Sequence, residues 1–226
     1  MDLAKPHIDI GLFTNRRDAQ LGFWGSEIGL TYDHMLKLGR GLQQHRFAAG
    51  ESVIKVNHAR EVLREDAACG LRAVLIARAG IAGPRELRDP DGNAVVLVPK
   101  GHLGVEGIGL RLAVSDLAAA RSFYGVALGL REIARDVYMC GDSLLLLERA
   151  NRPIVVGDMV ALGLRYFTIQ VRDCDAEHAR VLRTGGREGR APATLGTTAR
   201  VSFVRDTDGN WIELSERASL TGKAVG

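Results

Sequence analysis

The segment RDTDGNWIEL at 205–214 nearly repeats RDPDGNAVVL at 88–97, and Glu213 stands where the earlier copy has Val96. A carboxylate kept in one copy is either a solvent-facing acid, the usual place for glutamate, or the working group of a pocket. Lys55 interrupts the apolar VIKV and alternates with Val53 and Asn57. Burying an ammonium is costly unless a partner or ligand faces it, so Lys55 is an edge residue or contacts an anion. Asp9 lies in a stretch that reads as a strand, where aspartate is disfavoured. His45 shares a face with Gln43 and Phe47 and is a plain strand histidine, a ligand or a base. DPDGN and DTDGN look like calcium loops, but without the remaining EF-hand spacing and its closing glutamate they read as tight turns.

Cys69, Cys140 and Cys174 are an odd set without Cys-x-x-Cys spacing, which fits reduced thiols better than a disulfide frame or a zinc knuckle. Cys140 has no capping helix or basic partner to make it a nucleophile.

The composition sets the class. At 226 residues, 46% hydrophobic and 25% charged, the chain can bury a core as one large or two small soluble domains. Its longest apolar runs, such as 144–147, are too short to span a bilayer. MDLAKPHIDIGLF at the amino terminus lacks the pattern of a secretory signal, so the expected location is the cytoplasm. The +3 charge comes from 30 basic and 27 acidic residues scattered without blocks, which gives no support to nucleic-acid binding. REGR at 187–190 reads as a solvated loop.

Internal repetition then dictates the organisation. GFWGSEIGL (22–30) matches SFYGVALGL (122–130), GESVIKVN (50–57) matches GDSLLLLE (141–148), and GLRAVLIAR (70–78) matches GLRYFTIQV (163–171). Four landmarks in one order, the repeated turn included, make two homologous halves, 1–100 and 101–226, hinged near 99–107. From GLR to the turn the second half is much longer (163–206) than the first (70–89). The extra length holds DAEHARVLRTGG (175–186), with an aspartate cap, Ala176, Ala179 and Leu182 at helical spacing, and a Gly-Gly stop. The first half has therefore lost a helix and a neighbouring strand.

IGLRLAV (108–114) alternates as a half-buried strand, SDLAAARSFYGVALGL follows with a cap at Ser115 or Asp116, and short strands come next. Strand, helix and two or three strands, repeated, give an α+β fold of tandem βαβββ modules whose curved mixed sheets have helices on one face and an open cup on the other. Alternation turns Arg111 and Ala113, Tyr166, Thr168 and Gln170, and Trp211, Glu213 and Ser215 toward the cups.

LAVSDLAAARSFYGVALGL and FVRDTDGNWIELSER resemble the first strand and helix and the last strand of the vicinal oxygen chelate superfamily, which includes glyoxalases, bleomycin-resistance proteins and extradiol dioxygenases. With the weaker amino-terminal copy the resemblance covers almost the whole chain. It implies two glyoxalase-like domains, the first degenerate and lacking a helix, the second complete. It also implies a divalent ion held from two first strands and two last strands, acting as a Lewis acid on vicinal oxygens while a carboxylate or other ligand moves a proton. Carried over by position, Glu213 fits directly as a metal ligand, Glu148 lies near the remaining position, and Gly109 and Tyr166 stand where histidine is frequent. The first half offers Asp9 or His7, Lys55 or Asn57, Ala73 and Val96. One or two carboxylates without imidazole make a poor transition-metal site, so the cofactor is a divalent ion or none, and extradiol dioxygenation is set aside. If the first quarter of the chain faces the fourth, one cup gathers Asp9, His45, Lys55, Tyr166 and Glu213, and the other holds Ala73, Val96 and Gly109.

The expected function is then a lyase or isomerase acting on a small carbonyl or vicinal-oxygen substrate. Glu213, Asp9 or His45 serves as ligand or base, Arg111 or Lys55 holds an oxyanion, and Tyr166, Thr168, Gln170 and Trp211 contact substrate. The alternative is a metal-free binding protein of the bleomycin-resistance kind, stacking Trp211, Tyr166 and Phe47 on a planar ligand. In either case the partner is a small molecule, with neither nucleic acid nor membrane. A sheet without its covering helix leaves apolar area for a homodimer.

Overall fold

The computed structural model describes residues 1–66, 69–154 and 156–225. The first module comprises β1 (Leu3–Thr14), α1 (Arg17–Gly22) running into a wide π-type turn at Phe23–Glu27, β2 (Thr31–Gly39), β3 (Leu42–Ala49) and β4 (Ser52–Ala59). The second has β5 (Leu71–Arg78), β6 (Arg85–Arg88) and β7 (Ala94–Pro99). The third has β8 (Ile108–Val114), α2 (Leu117–Arg121) with a π-type turn at Ser122–Ala127, β9 (Arg131–Ala134), β10 (Val137–Cys140) and β11 (Ser143–Arg149). The fourth has β12 (Gly163–Val171), α3 (Cys174–Arg183), β13 (Arg187–Leu195), β14 (Ala199–Arg205) and β15 (Trp211–Arg217), followed by one helical turn, α4 (Ala218–Thr221). Among the described residues the second module has no helix and one strand fewer than the fourth, as the chain spacing requires.

Each sheet joins modules from both halves. The larger runs β13-β14-β15-β12-β1-β4-β3-β2, so the first module meets the fourth. The smaller runs β6-β7-β5-β8-β11-β10-β9 and joins the second to the third. Strands β1 and β12 are antiparallel at the seam, and each has a parallel neighbour from its own module, β4 and β15.

Local chemistry places the helices. Asp116 caps α2 by accepting from the amides of Ala118 and Ala119. In α3 the cap is Asp173, extended in backbone and accepting from Ala176 N, rather than the Asp175 that opens the DAEHARVLRTGG pattern. Asp175 turns outward and pairs with Arg200. REGR is the start of edge strand β13, where an exposed, charged sequence discourages further pairing, and not a loop.

The main core lies between the helix-facing sides of both sheets. Ile8, Ile10 and Leu12 from one and Val74, Leu110 and Leu112 from the other pack with Trp24, Phe123, Tyr124 and Val181. The module without a helix exposes no apolar face, because Val74 and Val95 are fully buried in this shared core. That removes the motive for expecting a second copy there.

The repeated DxDGN turns stitch the sheets together. Asp206 Oδ1 accepts from the amides of Asp208 and Asn210, and Asp206 Oδ2 from Tyr124 of the third module. Asn210 Oδ1 accepts from Gly70 N at 2.6 Å. In the other copy Asp89 holds the Asp91 and Asn93 amides and Gln20, while Asn93 Oδ1 accepts from Leu164 N at 2.9 Å.

Candidate active site

Alternation along β1, β4, β12 and β15 sends Ile10, Ile54, Ile169 and Leu214 into the main core. It sends Asp9, Lys55, Thr168 and Glu213 into the cup of the larger sheet. Register puts Asp9 opposite Thr168 and Thr168 opposite Glu213. From β4, Lys55 reaches across: its Nζ donates to Thr168 Oγ1 at 2.6 Å and to Glu213 Oε2 at 2.8 Å. Thr168 Oγ1 in turn donates to the same Oε2 at 2.6 Å. Among the described residues Oε1 of Glu213 has no protein donor.

Asp9 closes the other side. Its Oδ1 accepts from Lys5 Nζ and Val53 N, and its Oδ2 from Gln170 Nε2 at 3.0 Å. Burial raises its carboxyl, but Lys55, Lys5 and the Gln170 amide outweigh that and hold it below the usual aspartate range. Lys55 is only 1% exposed. Burial pulls its ammonium below the ordinary lysine range, and Glu213 and Asp9 only partly offset this.

A third group extends the network along β3. Arg46 lies opposite Lys55 and Gln44 opposite Asn57. Arg46 Nη1 donates to Gln44 Oε1, Gln44 Nε2 to Asn57 Oδ1, and Asn57 Nδ2 to Tyr166 Oη. The Tyr166 ring lies across β1 because residue 11 is glycine; a Cβ there would stand 2.1 Å from the ring. Desolvation raises the Tyr166 phenol well beyond its ordinary value, so it stays neutral.

The aromatic end of the cup is filled by the chain itself. Phe13, Tyr166, Phe203 and Trp211 pack with Leu63 and Met159 from two covering loops. Trp211 Nε1 donates to Gly157 O, and the Arg205 guanidinium lies 4.4 Å above its ring. Their faces are therefore not free for stacking a ligand, and Phe47 lies in the main core on the opposite side of the sheet.

Two other expected members are not brought here. His45 pairs with Val56, a core-facing residue, so it points to the helix side and meets Tyr32 Oη at 3.2 Å. Arg111 stands exposed on β8, the middle strand of the smaller sheet, and so on the second cup. That cup is closed by Ala73, Leu75, Val96, Val98, Val105 and Leu144. A Cβ on Gly109 would lie 3.0 Å from Val105 Cγ2. His7 turns away to Asp142.

A divalent ion does not fit the working cup. No three His, Cys, Asp or Glu side chains converge among the described residues. The centre between Asp9, Thr168 and Glu213 is taken by the Lys55 ammonium, which saturates Glu213 Oε2, while both Asp9 oxygens are committed elsewhere. Glu213 thus has a lysine partner and not a metal's other ligands. Arg46, Arg217, Gln44 and Asn57 complete the wall. The hairpin register across the turn at 50–51 is the signal for Arg46: it sets Arg46, not His45, beside Lys55.

Residues 102–214 match the Glyoxalase/Bleomycin resistance protein/Dioxygenase superfamily. Glyoxalase I from Zea mays is 16% identical with a TM-score of 0.73, over 93% of this chain and 92% of its own. A mutant form of that enzyme gives 0.75 at 15% identity, over 96% and 97%. Identities so low speak for the fold alone. Among curated proteins none matches the sequence. No helix among the described residues is long and apolar enough to cross a membrane. With half its length matched and its whole fold shared, the chain belongs to the Glyoxalase/Bleomycin resistance protein/Dioxygenase superfamily.

Proposed function

We propose that the protein is a cytoplasmic lyase or isomerase that moves a proton next to the carbonyl of a small molecule, with Lys55 as the electrophile and Glu213 as the base. The observation that carries the reading is the 2.8 Å contact between Lys55 Nζ and Glu213 Oε2 on the floor of a cup. Abstraction of a proton beside a carbonyl builds negative charge on oxygen, and a fixed ammonium in a site of low polarity stabilises that charge strongly. Glu213 Oε1 accepts the proton while Oε2 stays on Lys55 and Thr168. Asp9 and Gln170 position the Lys55 side, and the filled aromatic end keeps water away from the pair.

A metal-free binding protein is the competing reading, and the absence of a fitting ligand set for an ion favours it equally. Its stacking surface, however, is covered by Leu63, Met159 and Arg205. The two separate on proton exchange. Chelator-treated protein in D2O should exchange the α-protons of dihydroxyacetone or pyruvate, followed by proton NMR. Glu213→Gln should slow this by about a hundredfold or more. Absence of exchange with every small carbonyl compound tried would reject the enzyme reading.

A further inference from the structure

Arg46 is only 6% exposed, yet its guanidinium has no carboxylate partner among the described residues. Nη1 is held by the neutral Gln44, and Nε is buried without a partner among the described residues. On the far wall of the same cup, β15 carries Ser215 and Arg217 beyond Glu213. Ser215 Oγ and Arg217 Nε are likewise buried and unpartnered, as is Gln170 Oε1 on the adjoining strand. Among the charged side chains of this face, Lys5, Arg46, Lys55 and Arg217 outnumber Asp9 and Glu213, with Asp33 of β2 exposed at the rim. Buried donors without acceptors are rare in folded proteins, and three of them on one face of the sheet, Arg46 Nε, Ser215 Oγ and Arg217 Nε, indicate what that face receives.

We propose that Arg46 and Arg217, with Ser215 Oγ, hold an oxyanion of the substrate, a carboxylate or a phosphate, which makes the substrate a small anionic carbonyl compound. The inference rests on the proton-transfer reading for its carbonyl half and on the unpartnered donors alone for its anionic half. Two guanidiniums on one face of the sheet repel each other, and an oxyanion held by both turns that repulsion into attraction. After burial, the Arg217 charge is the largest influence lowering the Arg46 pKa, ahead of the opposing effects of Asp9, Asp33 and Glu213. Ser215 lies roughly 7 Å along β15 from Glu213, two residues of extended chain. A substrate spanning both groups therefore carries its oxyanion a few bonds from the carbonyl.

Inorganic phosphate and pyruvate, each titrated into the full-length protein at low salt by calorimetry and thermal shift, test this, with neutral ethyl pyruvate as control. The expected result is saturable binding of at least one anion and none of the ester. Arg46→Gln and Arg217→Gln should each weaken it about tenfold or more, and Arg46→Lys should lose less. Phosphate alone assigns a phosphate ester, and pyruvate alone a keto acid. Arg217 is only partly buried, so its variant remains informative if Arg46→Gln fails to fold. Glu213→Gln removes a negative charge beside Lys55 and should bind the anion at least as tightly as wild type. Anion binding by a wild-type protein that exchanges no proton would thus remove the catalytic reading and leave the anchor. Binding of neither anion, or binding that survives both arginine substitutions, would overturn the anchor.

Discussion

Lys55 Nζ and Glu213 Oε2 meet at 2.8 Å although 158 residues separate them in the chain, and they come from opposite halves of the duplication. Breaking such a buried pair from one side leaves the other charge stranded, at about 3–5 kcal/mol in fully buried cases. Glu213 keeps 12% side-chain exposure, so the lower end applies. Lys55→Met should cost about 3 kcal/mol in urea unfolding, and Lys55→Met with Glu213→Gln should cost less than Lys55→Met alone. Simple additivity of the two substitutions would show that the contact carries no coupling.

The lowered pKa of Lys55 gives a direction for pH. A base titrating lower in the folded state binds fewer protons there than unfolded, so between its folded value and 10.5 it makes stability rise with pH. Activity that needs the ammonium does the opposite. Turnover should fall on the alkaline side at a pH below 10.5, and Lys55→Arg should move that limb upward because guanidinium keeps its proton. A limb that stays in place in the arginine variant would point to another group.

Asp9 titrates below the ordinary aspartate value of 3.8, so its contribution is complete above that value and is lost as pH falls through the folded pKa. Asp9→Asn should flatten the acid limb of a stability profile while sparing the neutral region more than Lys55→Met does. Chemical denaturation from pH 2 to pH 7 reads this directly.

Gly11→Ala would drive a methyl into the Tyr166 ring at 2.1 Å. Overpacking of this kind costs about 1–3 kcal/mol. Adding Tyr166→Leu should recover part of the loss, and a tolerated Gly11→Ala with unchanged midpoint would show that the ring moves freely.

Removing Asn210 leaves the buried Gly70 amide without its acceptor, worth about 1–3 kcal/mol. Asn210→Ala should therefore destabilise by that order, and Tyr124→Phe, which takes one donor from Asp206, by about 1 kcal/mol. A calcium titration should stabilise neither turn, since backbone amides and side chains already satisfy Asp89 and Asp206.

Much of the fold is written in local patterns. The alternation in IGLRLAV gives β8 to the residue, and unequal spacing between repeated landmarks reveals the lost helix. The pairing of first with fourth module follows from which long-range edges bury best, and no local pattern decides it. Alternation carries Asp9, Lys55, Thr168, Gln170 and Glu213 to one face of the larger sheet. It fails for His45 because the hairpin register gives the face that His45 shares with Phe47 to the core. Arg111 lies on a cup too, but on the one that Val105 and its neighbours have closed. Arg46 and Arg217 escape a reading by family position, since their meaning lies in partners they lack.

The seam between β1 and β12 also sets the order of events on the ribosome. Strand β1 pairs with β4 of its own module but finds its second neighbour only after the chain beyond residue 163 has emerged, so the earliest quarter waits with one open edge while the second and third close on each other. Nascent chains stalled before that point should recruit chaperones, and release should coincide with the arrival of the last quarter.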